Sequence, residues 1–205
     1  MQTGTTDIPD ISVEWYRDIA DVAGSSPAPV QWFAVHFTEG AILLLGVLFL
    51  LAAAPQLLRG GPWERAVALV APVTVVLAYG SSEALKGLFD EERPCRRAAT
   101  VVAGHCPPVG DWSFPSNHAT IAGALAAATL LLSRRLGLVA VPLALFAALS
   151  RVFVGVHYPH DVAAGLLLGT LVTLVGTPLG ARPAAGLLAR RTAHPGPLPA
   201  TADRP

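Results

Sequence analysis

The chain predicts an all-α fold, a polytopic transmembrane helix bundle of about five spans with an interfacial helix at its N-terminus. Three observations lead there. Of the 205 residues, 53% are hydrophobic and only 14% charged, with a mean hydropathy of +0.53, whereas soluble domains run roughly 45–50% apolar and 25% charged. Windows near 31–54, 63–85, 116–132, 136–153 and 161–179 approach the roughly 20 largely apolar residues that a spanning helix needs. The segment ahead of them is amphipathic and acidic instead of uniformly apolar.

That segment, 7–26, puts Ile11, Trp15, Ile19 and Val22 on one helical stripe. Glu14, Arg17, Asp18 and Asp21 lie elsewhere on it, and each would cost about 2.5–3.5 kcal/mol at a bilayer centre, so it reads as a helix lying in the interface. Its acids, Asp7 and Asp10 included, reverse the positive start of a signal peptide, and no cleaved targeting segment is expected. Arg59 and Arg65 flank the first inter-span loop, Arg134 and Arg135 the third, and Arg182, Arg190 and Arg191 follow the last span. All fall on one side, which the positive-inside rule makes cytoplasmic. The N-terminus, the loop from Phe89 to Phe114 and the turn from Val154 to His160 are then outside. Residues 1–191 read as one membrane-embedded domain, and 192–205, rich in Pro and Ala, as a disordered tail. No internal repeat is visible. Zero formal net charge and no basic patch interleaved with aromatics give no sign of a nucleic-acid partner.

The chemistry-bearing residues collect at the outer ends of these spans. Lys86 stands near the end of the second span and Arg93 about two turns further on, before Pro94 stops any helix. Arg151 stands at the end of the fourth. Fixed Lys and Arg donors neutralise a phosphate by charge-assisted hydrogen bonds, although any one of them alone reads first as a snorkelling residue reaching headgroups. Pro115-Ser116-Asn117-His118 opens the third span, where the first amides of a helix lack intrahelical partners and make an anion site. Ser116 adds a hydroxyl donor, and His118 in the first turn is placed to act as an acid. His157 and Asp161 are four residues apart, so the carboxylate can reach back to one ring nitrogen and leave the other as the nucleophile. Together these residues can grip a phosphoryl group and pass it through a histidine. His36, His105, His160 and His194 show no recognisable zinc spacing and are read as structural, and no metal is expected.

The joint pattern K-x6-RP, PS-x-H and SR-x5-H-x3-D resembles the type 2 phosphatidic acid phosphatase superfamily of integral membrane lipid phosphatases, over roughly Thr38 to Gly176. The resemblance implies His118 as the acid, His157 as the residue that becomes phosphorylated and Asp161 as its orienter. Lys86, Arg93, Ser116, Asn117 and Arg151 would hold the phosphate, with no metal or other cofactor. Asn117 departs from the family pattern, which has glycine there, a residue suited to close backbone approach to an anion. The short chain, the acidic N-terminal helix, Phe37-Thr38-Glu39 and Ser113-Phe114-Pro115-Ser116-Asn117-His118 look most like the bacitracin-resistance type of undecaprenyl-diphosphate phosphatase.

That likeness implies an enzyme of the bacterial plasma membrane, acting on an isoprenoid or phospholipid phosphate in the bilayer at the extracytoplasmic face. A phosphatidate or phosphatidylglycerol-phosphate phosphatase is the alternative, and a non-catalytic carrier or binder of anionic lipids is the alternative from another class. Apolar spans argue against the soluble vanadium haloperoxidases that share the site pattern. Three features stay open. Glu39, two turns inside the first span, either pairs with a cation such as Lys86 or lines the catalytic cavity as an auxiliary. Cys95 and Cys106 fall in the outer loop and are expected to form a disulfide. Gly165 and Gly169 make a small-xxx-small step for packing inside the bundle or in a homodimer.

Overall fold

The helices run α1 Asp10–Ser25, α2 Ala28–Arg59, α3 Pro62–Phe89, the single turn α4 Pro94–Arg97, α5 Asn117–Leu132, α6 Arg134–Phe153 and α7 Pro159–Thr192. They come from a computed structural model that describes residues 8–97, 102 and 106–192, and no strand occurs among the described residues. The tail from 193 onward, Asp7, His105 and His194 lie outside the described residues.

Four helices, α2, α3, α6 and α7, are long and apolar enough to cross a membrane. The 16-residue α5 is shorter, about 24 Å at 1.5 Å per residue. It packs against all four of the others and forms the centre of the bundle. The sequence windows locate these helices but understate their lengths. α2 continues through Pro55 to Arg59, and α7 continues past the expected end at 179, through Pro178 and Pro183. Hydropathy marks where a helix is apolar, whereas its ends are set by backbone hydrogen bonds and caps. The link between α5 and α6 shows the latter. The Ser133 N–H donates to the Thr129 carbonyl at 2.8 Å while its Oγ accepts from Leu136 N at 3.4 Å, so one residue closes one helix and opens the next.

The packing is inverted relative to a soluble protein. Ala119, Ala122, Ala124, Ala126, Ala127 and Ala128 fill the interior along α5, whereas Leu43, Leu50, Leu58, Leu69, Leu138 and Leu171 face outward. Lipid tails are as apolar as leucine, so burying leucine gains little, and close approach of small-residue helices contributes instead. A Cβ at Gly165 would collide with the Ser116 carbonyl, and one at Gly169 with that of Thr120. That small-residue step is therefore consumed within the bundle, between α7 and α5.

Of the apolar stripe on α1, Ile11, Trp15 and Val22 are exposed, whereas Ile19 packs against the buried cluster around Tyr16 and Tyr158. The neighbouring stripe of Ser12, Tyr16, Ala20 and Ala23 is buried instead. Tyr16 packs edge-on against Tyr158 at 5.4 Å between centroids and donates to the Gly155 carbonyl at 3.3 Å. A protein partner favours small and hydrogen-bonding groups, and bulky apolar groups lose nothing by facing lipid.

The bundle has two distinct ends. At one, Gln56 Nε2 donates to the Leu132 carbonyl at 3.2 Å, joining the ends of α2 and α5 beside Arg59 and Arg134. At the other, Ser116 N donates to the Asp161 carbonyl at 3.1 Å, joining the starts of α5 and α7. Every motif residue lies at this second end. The loop above it carries the bonded pair Cys95 and Cys106, with their Cα atoms 5.7 Å apart.

Candidate active site

His157 is held in the turn between α6 and α7, which Gly155 makes possible with a φ of 86°, the left-handed region that glycine enters freely. Its Nδ1 lies 3.2 Å from Asp161 Oδ2. The same carboxylate oxygen accepts from Tyr158 N at 2.8 Å and from the Ser113 hydroxyl. With Nδ1 donating to Asp161, the Nε2 lone pair faces Arg93, whose Nη1 is 2.9 Å away and also donates to the Val156 carbonyl at 3.1 Å. His157 is only 1% exposed. Burial pushes its pKa down to about 4, aided by the charges of Arg93 and Arg151 and opposed by Asp161. The ring is neutral at ordinary pH, with Nε2 unprotonated.

Lys86 and Arg93 converge as their spacing predicts, but on a residue that spacing did not indicate. Asp111 Oδ1 accepts from Lys86 Nζ at 2.8 Å and from Arg93 Nη2 at 2.9 Å, and Arg93 Nε donates to the Asp111 carbonyl at 2.8 Å. Burial alone would raise the Asp111 pKa, but hydrogen bonds and charge from Lys86 and Arg93 outweigh it and lower the pKa below the ordinary value. A carboxylate oxygen thus stands between two cations expected to hold a phosphate. Its only sequence signal is an acid in the loop joining two motifs, which proximity in sequence cannot distinguish from a solvated one.

Arg151 reaches from the end of α6 to Thr38 Oγ1 at 3.2 Å and Glu39 Oε1 at 3.6 Å, both on α2. Glu39 in turn lies 2.9 Å from His118 Nε2. The suggested pairing of Glu39 with Lys86 is not what forms, because Lys86 is engaged by Asp111 and by Glu83 at 3.6 Å. Glu39 lines a cavity of about 220 Å³ with Thr38, Arg151, Pro107 and Val156.

Ser116 caps α5, its Oγ accepting from Ala119 N at 3.5 Å, which leaves the hydroxyl proton free to be donated. Asn117 turns its side chain to α3, accepting from Ser82 Oγ at 2.7 Å and donating to Glu83. What it can offer an anion is its backbone amide in the first turn of α5.

His160, read as structural from the sequence, makes polar contacts that the spacing does not show. Its Nε2 lies 3.1 Å from Glu91 Oε2 and 3.2 Å from Asp161 Oδ1, and its Nδ1 lies 2.7 Å from Ser12 Oγ. Ligand atoms of Glu91, His160 and Asp161 fall within 4.8 Å of one another, close enough to share a cation. Two separate segments build this cluster, the loop after α3 and the first turn of α7, so no local spacing reveals it. His36 lies apart from this group, with Nδ1 2.8 Å from the Trp32 carbonyl.

The PAP2 superfamily pattern matches residues 67–182, which span Lys86, Arg93, Ser116, His118, Arg151, His157 and Asp161. The chain belongs to the PAP2 superfamily. It is 37% identical over 147 residues to decaprenylphosphoryl-5-phosphoribose phosphatase of Mycobacterium tuberculosis, covering 71% of this chain and 76% of that protein. It is 31% identical over 138 residues to undecaprenyl-diphosphatase BcrC of Bacillus subtilis, covering 67% and 68%. The PAP2-type phosphatidylglycerolphosphate phosphatase of Bacillus subtilis shares the fold, with a TM-score of 0.59 at 19% identity and 88% of each chain covered. With its spanning helices, the chain is a multi-pass membrane phosphatase of the PAP2 type.

Proposed function

We propose that this PAP2 protein removes the terminal phosphate of a polyprenyl-linked phosphate, undecaprenyl diphosphate first among them, at the extracytoplasmic face through a phosphohistidine at His157. The observation that carries the mechanism is the buried His157, with Nδ1 on Asp161 and the Nε2 lone pair turned to Arg93 of the cation cluster. In the first step the Nε2 lone pair attacks phosphorus as the bond to the leaving oxygen breaks. Lys86, Arg93, Arg151, the Ser116 hydroxyl and the first amides of α5, that of Asn117 included, take up the charge on the transferring oxygens. His118 delivers a proton to the leaving lipid phosphate, and Glu39 supports the protonated ring. In the second step His118 takes a proton from water as that water attacks phosphorus, and the N–P bond breaks to release phosphate and restore His157.

The outer-face assignment rests on the arginines at the opposite end of the bundle and on the positive-inside rule. The polyprenyl assignment rests on the two relatives named above, both of which carry polyprenyl substrates in their names. The identity to the mycobacterial protein supports a second reading, hydrolysis of a phosphate monoester on a polyprenyl-linked sugar. The discriminating experiment assays released phosphate from purified protein in detergent on undecaprenyl diphosphate, a polyprenyl-linked sugar phosphate, phosphatidate and phosphatidylglycerol phosphate. Undecaprenyl diphosphate should give the highest kcat/KM. A preference for either phospholipid would overturn the polyprenyl reading, and lipid binding without turnover in any arm would make the protein a binder. Glu39→Gln should lower turnover of the diphosphate more than that of a short monophosphate, and equal losses with a lower Tm would assign Glu39 to structure.

A further inference from the structure

Asp161 has two oxygens, and only one of them is explained by the nucleophile. Oδ2 accepts from His157 Nδ1, Tyr158 N and Ser113 Oγ. Oδ1 is fully buried with no well-aligned hydrogen bond, and the near donor to it is His160 Nε2 at 3.2 Å. A carboxylate held on one oxygen alone can swing about its Cβ–Cγ bond, and His157 would then lose its fixed tautomer.

The His160 ring is itself immobilised from several directions. Ser12 of α1 meets its Nδ1 at 2.7 Å and accepts from its backbone N at 3.3 Å. Phe114 and Tyr158 stack on it, each at 5.7 Å between centroids. Glu91 sets its other nitrogen at 3.1 Å and is itself 6% exposed, with Oε1 unpartnered. The Glu91 carbonyl also accepts from Ser113 N at 2.8 Å, so the residue that orients His160 is tied to the one that donates to Asp161 Oδ2. The order His157, Asp161, His160, Glu91 repeats a histidine and carboxylate pair twice in line.

We infer that His160, set by Ser12 and Glu91, is a positioning residue that acts through Asp161. It faces the outer oxygen of that carboxylate so that the inner oxygen stays on His157 Nδ1. The inference rests on the reading of His157 as nucleophile. It also gives α1 a part in turnover, since Ser12 helps to set the His160 ring.

The test uses the full chain in detergent with a soluble short-chain lipid phosphate, comparing wild type, His157→Gln, His160→Leu, His160→Gln and Glu91→Gln. His160→Leu should lower kcat about tenfold to a hundredfold, the range seen when groups that orient a metal-bound histidine are removed, with KM unchanged. His160→Gln, which keeps a donor on a side chain of similar reach, should recover most of the loss. Glu91→Gln should lower kcat less, again at constant KM, and it keeps the question decidable should His160→Leu not fold. A kcat within twofold of wild type in both His160→Leu and Glu91→Gln would overturn the inference. So would equal losses in His160→Leu and His160→Gln, or turnover lost to a chelator and restored by zinc, which would put a cation between Glu91 and Asp161. Inactive wild type, or full activity in His157→Gln, would instead sink the nucleophile reading, and the two failures are separable.

Discussion

The two histidines of the site occupy opposite surroundings. The His157 side chain is 2% exposed against a fully buried Asp161, whereas the His118 side chain is 28% exposed against a Glu39 that is 67% exposed. A nucleophile needs one tautomer and one direction of attack, which a dry, hydrogen-bonded setting enforces. An acid that must collect a proton from water in each cycle needs an open one. The difference teaches that the site is assembled as a rigid half and an accessible half, with the cations between them.

If the rigid half carries covalent chemistry, His157→Gln should show the largest effect. Turnover should fall by about 10⁴-fold or more, the scale seen when the members of a nucleophilic triad are disrupted, and a quench-flow trap should find no phosphohistidine. Retained turnover would break the comparison at its root. For the accessible half, His118→Ala should cost about 10²–10⁴-fold, the range for a general acid. That loss should shrink on a nitrophenyl phosphate whose leaving group needs no proton, and an equal loss on both substrates would move His118 out of the acid role.

A smaller effect sharpens the region between the halves. Asp111 occupies the cation pair proposed to hold the substrate phosphate, so Asp111→Asn should tighten vanadate inhibition and lower KM, by about three- to tenfold once its partial exposure is discounted. Weaker vanadate inhibition would show that Asp111 holds Lys86 and Arg93 in place instead of competing for them.

The smallest effect is on stability. His157 has a folded pKa of about 4, below the unfolded value near 6.5, so the unfolded chain binds the extra proton as pH falls. Stability should be unaffected by this group above about pH 6.5 and decline from there toward pH 4. Calorimetry in detergent should find Tm dropping a few degrees more steeply over that window in wild type than in His157→Gln, at about 2–4 °C per kcal/mol for a chain of this size. Parallel slopes would place His157 in a more hydrated setting.

Much of this was legible in the sequence because both signals involved are local. Runs of apolar residues located the bundle helices, and the fixed spacing of His157 to Asp161 along one turn of chain determined that pair. The basic motif residues were legible as helix-end cations, since a proline or a charge marks where each span stops. What met them was not legible. Asp111 reaches Lys86 and Arg93 across a loop, Glu39 meets His118 across 79 positions, and Ser12 meets His160 across 148. Only the crossing of helices places these groups together. The docking face of α1 was decided in the same way, because periodicity finds an apolar stripe but cannot tell whether lipid or protein will cover it. The sequence by itself determined a membrane bundle with its basic, histidine and carboxylate motif residues at one end. The tertiary structure alone decided which carboxylate each cation and imidazole meets, because such pairing depends on distances between helices that no spacing along the chain records.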